Sequence, residues 1–181
     1  MLTTAALWAS ATTFANPPSP IAVESGEVQE QVAMRTLAAW GAGNLLVGSV
    51  SSRLADDTEW QAFHQMNAGW GAVNLGLAAT GLLPTRREVD PAKQKQRWLN
   101  FPAVFAFNAG LDVGYVGTGI WLIHQGSEQG DSQQKGWGKS LILQGSALFV
   151  FDVVMAMRFS KINRELWLQP HEGGVALNGR F

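Results

Sequence analysis

The sequence contains no cysteine, which excludes disulfides, cysteine-ligated metals and iron–sulfur clusters. Charged residues are also scarce, at 15% of the 181 residues, whereas soluble domains carry about 25%. The formal net charge is −1, and no basic stretch is interleaved with aromatic residues, which argues against a nucleic-acid partner. Since the phosphate-loop, dinucleotide-binding, H-E-x-x-H and G-x-S-x-G motifs are also missing, we predict a non-enzymatic protein without a cofactor.

The few charged residues are grouped, and they leave four long windows almost free of Asp, Glu, Lys and Arg. The windows hold two charged residues, Asp112 and Asp152, and comprise residues 36–52, 60–85, 98–127 and 140–157. Each window is about long enough to cross a bilayer as a helix. A soluble bundle would instead place charges every few residues on the outer face of each helix. The pattern predicts an all-α fold, an antiparallel four-helix transmembrane bundle over residues 35–160 with the lipid bilayer around it.

The two ends of the chain differ from this membrane domain. Residues 1–16 combine an apolar run with small residues near its end, as in a signal peptide, but lack the usual basic start. Residues 17–34 are polar and acidic, and residues 161–181 are predicted to form a polar, glycine-rich tail. Basic residues concentrate at the end of the bundle that holds both termini, which the positive-inside rule places in the cytoplasm. A cleaved signal peptide would place the N-terminus outside, so the orientation stays open.

Polar and small residues form a stripe along one face of each predicted helix. Within each window they are separated by steps of three and four residues, which is the spacing of one helical face. Because lipid would cover the other faces, the stripes are expected to converge inside the bundle as a polar core or ligand-binding face. Its predicted members are Asn44, His64, Asn67, Asn74, Asn108, Asp112, Tyr115, Gln144 and Asp152.

Two interpretations of this polar face stay open. Asn and Gln side chains can hold helices together by hydrogen bonds across their interfaces, while small residues let the backbones approach. For Asp112 and Asp152 both roles are equally open. A carboxylate near the bilayer centre costs about 2.5 to 3.5 kcal/mol for insertion and tends to mark a site. A protonated Asp hydrogen-bonded to Asn, Tyr115 or Gln144 would instead be a structural solution. Haem or metal ligation by His64 and His124 has no further support in the sequence, so no metal site is predicted.

The first two windows share the motif A-x-W-G-A-x-N-L, at residues 38–45 and 68–75. Since successive membrane helices are antiparallel, such a repeat would be inverted, as in many transporters. Several tryptophans, including Trp60, Trp98 and Trp121, fall at or beyond the window ends, where we expect their rings to lie among lipid headgroups.

The segments "FHQMNAGWGAVNLGLA", "FNAGLDVGYVGTG" and "SLILQGSALFVFDVVM" resemble an uncharacterised family of small bacterial four-helix integral membrane proteins, found mainly in Bacteroidota and their relatives. The resemblance covers about residues 35–160. It implies four spans and a polar face but no activity. With it, the sequence predicts a multi-pass protein of the bacterial inner membrane.

Two functions follow as hypotheses. The first is an accessory or binding subunit, which uses the buried polar face to hold a ligand or partner, alone or in a larger membrane complex or homo-oligomer. The alternative is a minimal transporter or proton-coupled subunit in which Asp112 and Asp152 are the protonatable groups.

Overall fold

The computed structural model describes residues 20–83 and 90–167, which form four α-helices. The helices are α1 Pro20–Leu54, α2 Thr58–Leu82, α3 Pro91–Gln129 and α4 Ser132–Trp167. Within these two ranges the chain contains no β-strand, so the predicted all-α, four-helix architecture is confirmed. The predicted signal peptide lies outside the described residues. Three of the helices are longer than their charge-poor windows; α1 includes most of the polar segment 17–34, for example, and α4 continues into the predicted tail.

Short, capped turns join the helices into two antiparallel hairpins. Asp57 accepts hydrogen bonds from two N–H groups in the first turn of α2, at 2.7 and 3.2 Å. Asp131 caps α4 in the same way, at 2.9 and 3.1 Å. Gly130 ends α3 with a φ of 69°, and the N–H of Asp131 donates to the carbonyl oxygen of Gly126 at 2.8 Å. This left-handed position favours glycine, and it reverses the chain within two residues.

Pairs of glycines bring the two helices of each hairpin into backbone contact. A Cβ added to Gly71 of α2 would lie 2.6 Å from the carbonyl oxygen of Gly41 on α1. A Cβ added to Gly119 of α3 would lie 2.6 Å from the carbonyl oxygen of Gly138 on α4. Side chains at these positions would push the helices apart, so the small residues of the sequence stripes set the helix spacing.

The four helices do not pack evenly around the bundle. α1 packs along α2, α3 packs along α4, and α2 also packs against α4. In contrast, α2 and α3 make little direct contact over the part of the chain that the structure describes. A gap therefore lies between α2 and α3, and it positions the candidate site.

The helices also differ in length, with 25 residues in α2 and 39 in α3. At 1.5 Å per residue, α2 is about 38 Å long and α3 about 58 Å. An apolar cluster fills the bundle near the end of α2, where the three longer helices continue; its buried members are Ala33, Trp98, Phe105, Met155, Phe159 and Ile162.

Trp98 differs from its expected place among lipid headgroups, because its ring is only 1% exposed. The ring packs on Gly26 of α1, where a Cβ would lie 2.6 Å from it. Its Nε1 donates to Oε2 of Glu30 at 3.1 Å, and the same oxygen pairs with Nη2 of Arg97 at 2.8 Å. A glycine opposite and a carboxylate within reach make an interior position favourable for this indole. Trp60 and Trp121, by contrast, are 49% and 58% exposed.

Large apolar side chains cover the outward faces of all four helices. Those more than half exposed include Leu46, Val50, Val73, Leu77, Phe107, Ile120, Val150 and Met157. By length and hydropathy, one helix among the described residues, Ser132–Arg164, qualifies as a membrane span. Polar residues lower the mean hydropathy of the other three helices. In α2, for example, these residues are His64, Asn67 and Asn74. Four spans therefore stay a prediction.

Candidate functional site

The polar stripes of α1, α2 and α4 meet in a set of hydrogen bonds around Gln144, whose side chain is fully buried. Its Oε1 accepts from Nε1 of Trp40 at 2.9 Å. Its Nε2 donates to Oδ1 of Asn44 and to Oδ1 of Asn67, both at 2.7 Å. Ser140 also donates to Oδ1 of Asn67, at 2.9 Å. These five residues form the Gln144 network, and they satisfy both amide hydrogens and the oxygen of Gln144.

A second polar group lies at the gap between α2 and α3. Asp112 of α3 and Asp152 of α4 line this gap side by side, and we call them the acid pair. Both are buried, at 3% and 5% exposure, as is Asn74 of α2 at 2%. Two adjacent buried carboxylates repel each other, so this pair favours a state in which the two groups share a proton.

Two polar atoms of this group have no hydrogen-bond partner among the described residues. They are Nδ2 of Asn74 and Oδ2 of Asp112, and both are buried. An unsatisfied buried donor or acceptor typically costs about 1 to 3 kcal/mol, so native proteins contain few of them. The contrast with the satisfied Gln144 network marks this second group as incomplete.

Asn74 and the acid pair line a cavity of about 300 Å³ between α2 and α3, which we call the α2–α3 cavity. Asn108 and Tyr115 complete its polar lining beside the acid pair. Its remaining wall is mainly apolar, and includes Leu37, Leu77, Val104, Phe105, Leu148 and Phe151. Leu77 and Val104 are 55% and 49% exposed, so the cavity reaches the side of the bundle between them.

Aromatic rings border the cavity at both ends. Trp70 and Tyr115 pack edge to face with ring centroids 5.0 Å apart, which makes a local contact between α2 and α3. About four helical turns along α3, Phe101 and Phe105 pack with ring centroids 5.8 Å apart. The cavity is thus a mainly apolar slot into which α2, α3 and α4 each contribute an acid or amide group, an arrangement suited to an amphipathic molecule.

The structure divides the predicted polar face between these two places. Asn44, Asn67 and Gln144 belong to the Gln144 network. The α2–α3 cavity takes Asn74, Asn108, Asp112, Tyr115 and Asp152.

His64 takes no part in the hydrogen bonds of the Gln144 network. It is half-buried, and its ring centroid lies 5.1 Å from that of Phe63 and 6.2 Å from that of Trp60. His124 is exposed and pairs with Glu128 at 3.3 Å. Over residues 20–83 and 90–167, no cluster of three or more His, Asp or Glu residues could hold a metal ion.

The sequence interpretation missed Trp40 of the Gln144 network and Trp70 of the α2–α3 cavity. Trp40 precedes Asn44 by four residues, and Trp70 precedes Asn74 by four, so each pair shares a helical face. This spacing, which the repeated motif contains twice, was the available signal.

A charged cluster lies at the end of the bundle where the two hairpin turns are. Glu59 pairs with Nζ of Lys135 at 2.7 Å and with Nζ of Lys139 at 2.5 Å. Hydrogen bonds from these two ammonium groups hold the pKa of Glu59 below its ordinary value, and the bond from Lys135 has the larger effect. Lys139 also lies over the ring of Trp60, 4.9 Å from its centroid. The Glu30–Arg97 pair is near the opposite end, so charged contacts flank the polar interior on both sides.

No curated protein and no solved structure matches the chain. A family model does match, over residues 36–153, a range that includes the Gln144 network and the acid pair. The predicted membership of an uncharacterised family is confirmed at this level. The chain belongs to the family of unknown function DUF6992.

Proposed function

We propose that this chain is a non-enzymatic integral membrane protein that binds a small amphipathic molecule in the α2–α3 cavity. The observation that carries the proposal is the pair of unpartnered buried atoms, Nδ2 of Asn74 and Oδ2 of Asp112, in the wall of an otherwise apolar cavity. A polar group of the ligand would supply the missing hydrogen bonds, and its apolar part would lie along the wall. Small-molecule sites commonly combine apolar walls with a few polar groups that orient the ligand.

The distribution of apolar side chains supports a location in the bilayer. Leu46, Val73, Phe107 and Val150 are more than half exposed, one on each helix, while amides and carboxyl groups occupy the interior. A water-soluble bundle has the opposite arrangement. In our proposal the four charge-poor windows cross the hydrocarbon, and the charged contacts at the two ends lie outside it. The α2–α3 cavity would then open sideways toward the acyl chains, and the ligand would enter from the bilayer.

Fractionation tests the membrane location. We expect the full chain to stay in the membrane pellet at alkaline pH and to dissolve only in detergent, because the exposed apolar faces need lipid. Recovery of folded protein from plain buffer would contradict the proposal.

Analysis of co-purifying molecules tests the binding function. The wild-type protein is purified in mild detergent, and its extract is analysed by untargeted mass spectrometry. Val104→Trp places an indole at the cavity mouth and should remove the bound molecule. Val113→Trp is the matched control, because Val113 is 58% exposed on the same helix and does not line the cavity. If the wild type and Val104→Trp yield the same molecules in the same amounts, the binding proposal is wrong.

The acid pair favours a second candidate function, a proton-coupled transporter or membrane subunit. A shared proton between two carboxyl groups on neighbouring helices can be lost and regained, as in proton relays of membrane pumps. The test is a measurement of pH-dependent proton flux into proteoliposomes. Asp112→Asn should abolish this flux while the bundle stays folded. Equal flux in wild-type and protein-free liposomes would exclude this candidate.

A further inference from the structure

We infer that the ligand of the α2–α3 cavity carries a hydroxyl group, as an alcohol or a phenol, which accepts a hydrogen bond from Asn74 and donates one to Asp112. The inference rests on the proposed binding function and narrows it to one chemical class.

The two unpartnered atoms require opposite hydrogen-bonding groups. Nδ2 of Asn74 is a donor and needs an acceptor. Asp112 and Asp152 are buried side by side in the cavity lining, and two such carboxyl groups favour one proton shared between them. Oδ2 of Asp112 is therefore an acceptor and needs a donor. A hydroxyl group provides an acceptor and a donor on a single atom.

Other common polar groups satisfy only part of this requirement. An ether or ester accepts but cannot donate, which leaves Oδ2 of Asp112 without a partner. A protonated amine donates but cannot accept, which leaves Nδ2 of Asn74 without one. An anionic group would lie beside the acid pair, and the described residues that line the cavity include no Lys, Arg or His to balance it. A neutral hydroxyl avoids all three penalties.

The size and walls of the cavity allow two sources for the hydroxyl. A cavity of about 300 Å³ is at the small end of ligand sites, so it holds the hydroxyl end of a larger molecule whose tail leaves by the mouth. The wall mixes aliphatic side chains, such as Leu77 and Leu148, with aromatic ones, such as Trp70 and Phe105. Aliphatic alcohols and alkylphenols share the required group, and experiment can separate them.

A series of probes that differ only in the polar group tests the inference. The full chain is placed in lipid nanodiscs, and saturable binding of tritiated 1-decanol is measured against nanodiscs that hold Val104→Trp. The competitors are 4-hexylphenol, decyl methyl ether, decylamine and decanoate. We expect decyl methyl ether to compete roughly tenfold more weakly than 1-decanol, because it leaves a buried acceptor unpaired. Decylamine and decanoate should also be weaker, and the stronger of 1-decanol and 4-hexylphenol identifies the source.

Asn74→Leu provides a second measurement and should weaken 1-decanol binding by roughly tenfold, since the donor is lost. Thr118→Val is the matched control, because Thr118 is exposed on α3 and does not line the cavity. The probe series uses the wild type, so the test stands even if Asn74→Leu does not fold. Equal or tighter binding of the ether or the amine overturns the hydroxyl assignment and leaves the binding function intact. Absence of saturable binding by both hydroxyl probes also overturns it, and the co-purification experiment then decides the binding function separately.

Discussion

Replacement of Gln144 by leucine removes the centre of the Gln144 network with little change in side-chain volume. The wild-type side chain makes three hydrogen bonds, to Trp40, Asn44 and Asn67, and links three helices. In Gln144→Leu, Nε1 of Trp40 loses its acceptor and Oδ1 of Asn44 loses its donor. Oδ1 of Asn67 loses one of its two hydrogen bonds but keeps the one from Ser140, so it stays paired.

The magnitude follows from these losses. Hydrogen bonds between helices in a membrane bundle contribute about 0.6 kcal/mol each, so three contribute about 2 kcal/mol. The N–H of Trp40, left buried and unpaired, adds a desolvation cost of about 1 to 3 kcal/mol. Part of this cost is already included in the figure of about 2 kcal/mol for the three hydrogen bonds. We therefore expect Gln144→Leu to lower the free energy of unfolding by about 2 to 4 kcal/mol.

The assay is reversible unfolding of the detergent-solubilised protein by added SDS, followed by near-ultraviolet circular dichroism of the tryptophans. Ser146→Leu is the matched control, because Ser146 is two residues further along α4 and exposed. A polar-to-leucine change on that outward face should alter the free energy of unfolding by less than about 0.5 kcal/mol.

A double-mutant cycle with Trp40→Phe identifies the unpaired indole as the main cause. In the Trp40→Phe background, which lacks the indole N–H, Gln144→Leu should lower the free energy of unfolding by about 1 to 2 kcal/mol less than it does in the wild type. The reasoning fails if Gln144→Leu costs no more than Ser146→Leu, or if its cost is unchanged by Trp40→Phe. Either result would mean that the polar contacts between α1, α2 and α4 do not hold the bundle together.

Three further predictions concern packing and charge. Gly71→Val should destabilise the bundle by about 1 to 3 kcal/mol, because the added atoms meet the backbone of α1, whereas Gly76→Val, in open space, should be near neutral in the same SDS titration. Glu59 has a lowered pKa, so its ion pairs should stabilise the fold above its ordinary value of 4.5 and lose this effect as the pH falls through the lower folded-state pKa. Glu59→Gln should therefore reduce the acid sensitivity of the thermal midpoint, and an unchanged pH profile would refute the ion-pair assignment. Trp98→Phe removes the hydrogen bond to Glu30 and should cost about 1 to 3 kcal/mol; a neutral result would show that this indole N–H is already solvated.

Much of the fold could be predicted from the distribution of charge. The charge-poor windows correctly gave four helices and their order, because few charged side chains occur in the middle of any helix. Three of the four windows were shorter than their helices; Glu30 and Arg97, for example, pair with each other and do not end α1 or α3. Charge marks where a helix leaves an apolar environment, and hydrogen bonds and caps such as Asp131 determine where it ends.

The residues of the candidate site were less predictable than the helices. Spacing by three and four residues places Asn67 and Asn74 on one face of α2, but it does not say which neighbour each will meet. That depends on which pairs of helices pack closely, a property of the whole bundle. Trp98 shows the same limit, because its burial depends on Gly26, which is 72 positions earlier in the chain.

The two copies of the W-G-x-x-N motif have the same helix contact but differently satisfied asparagines. Its two glycines, Gly41 and Gly71, face each other across the α1–α2 hairpin, so both copies serve the same close helix contact. Their asparagines differ only in surroundings. Asn44 meets Gln144 of α4 and is satisfied, whereas Asn74 lines the gap to α3 and its amide N–H has no partner among the described residues. Close packing of α1 and α2 is therefore a role that both copies of the motif share. The candidate site arises because α3 does not close against α2 as α4 does.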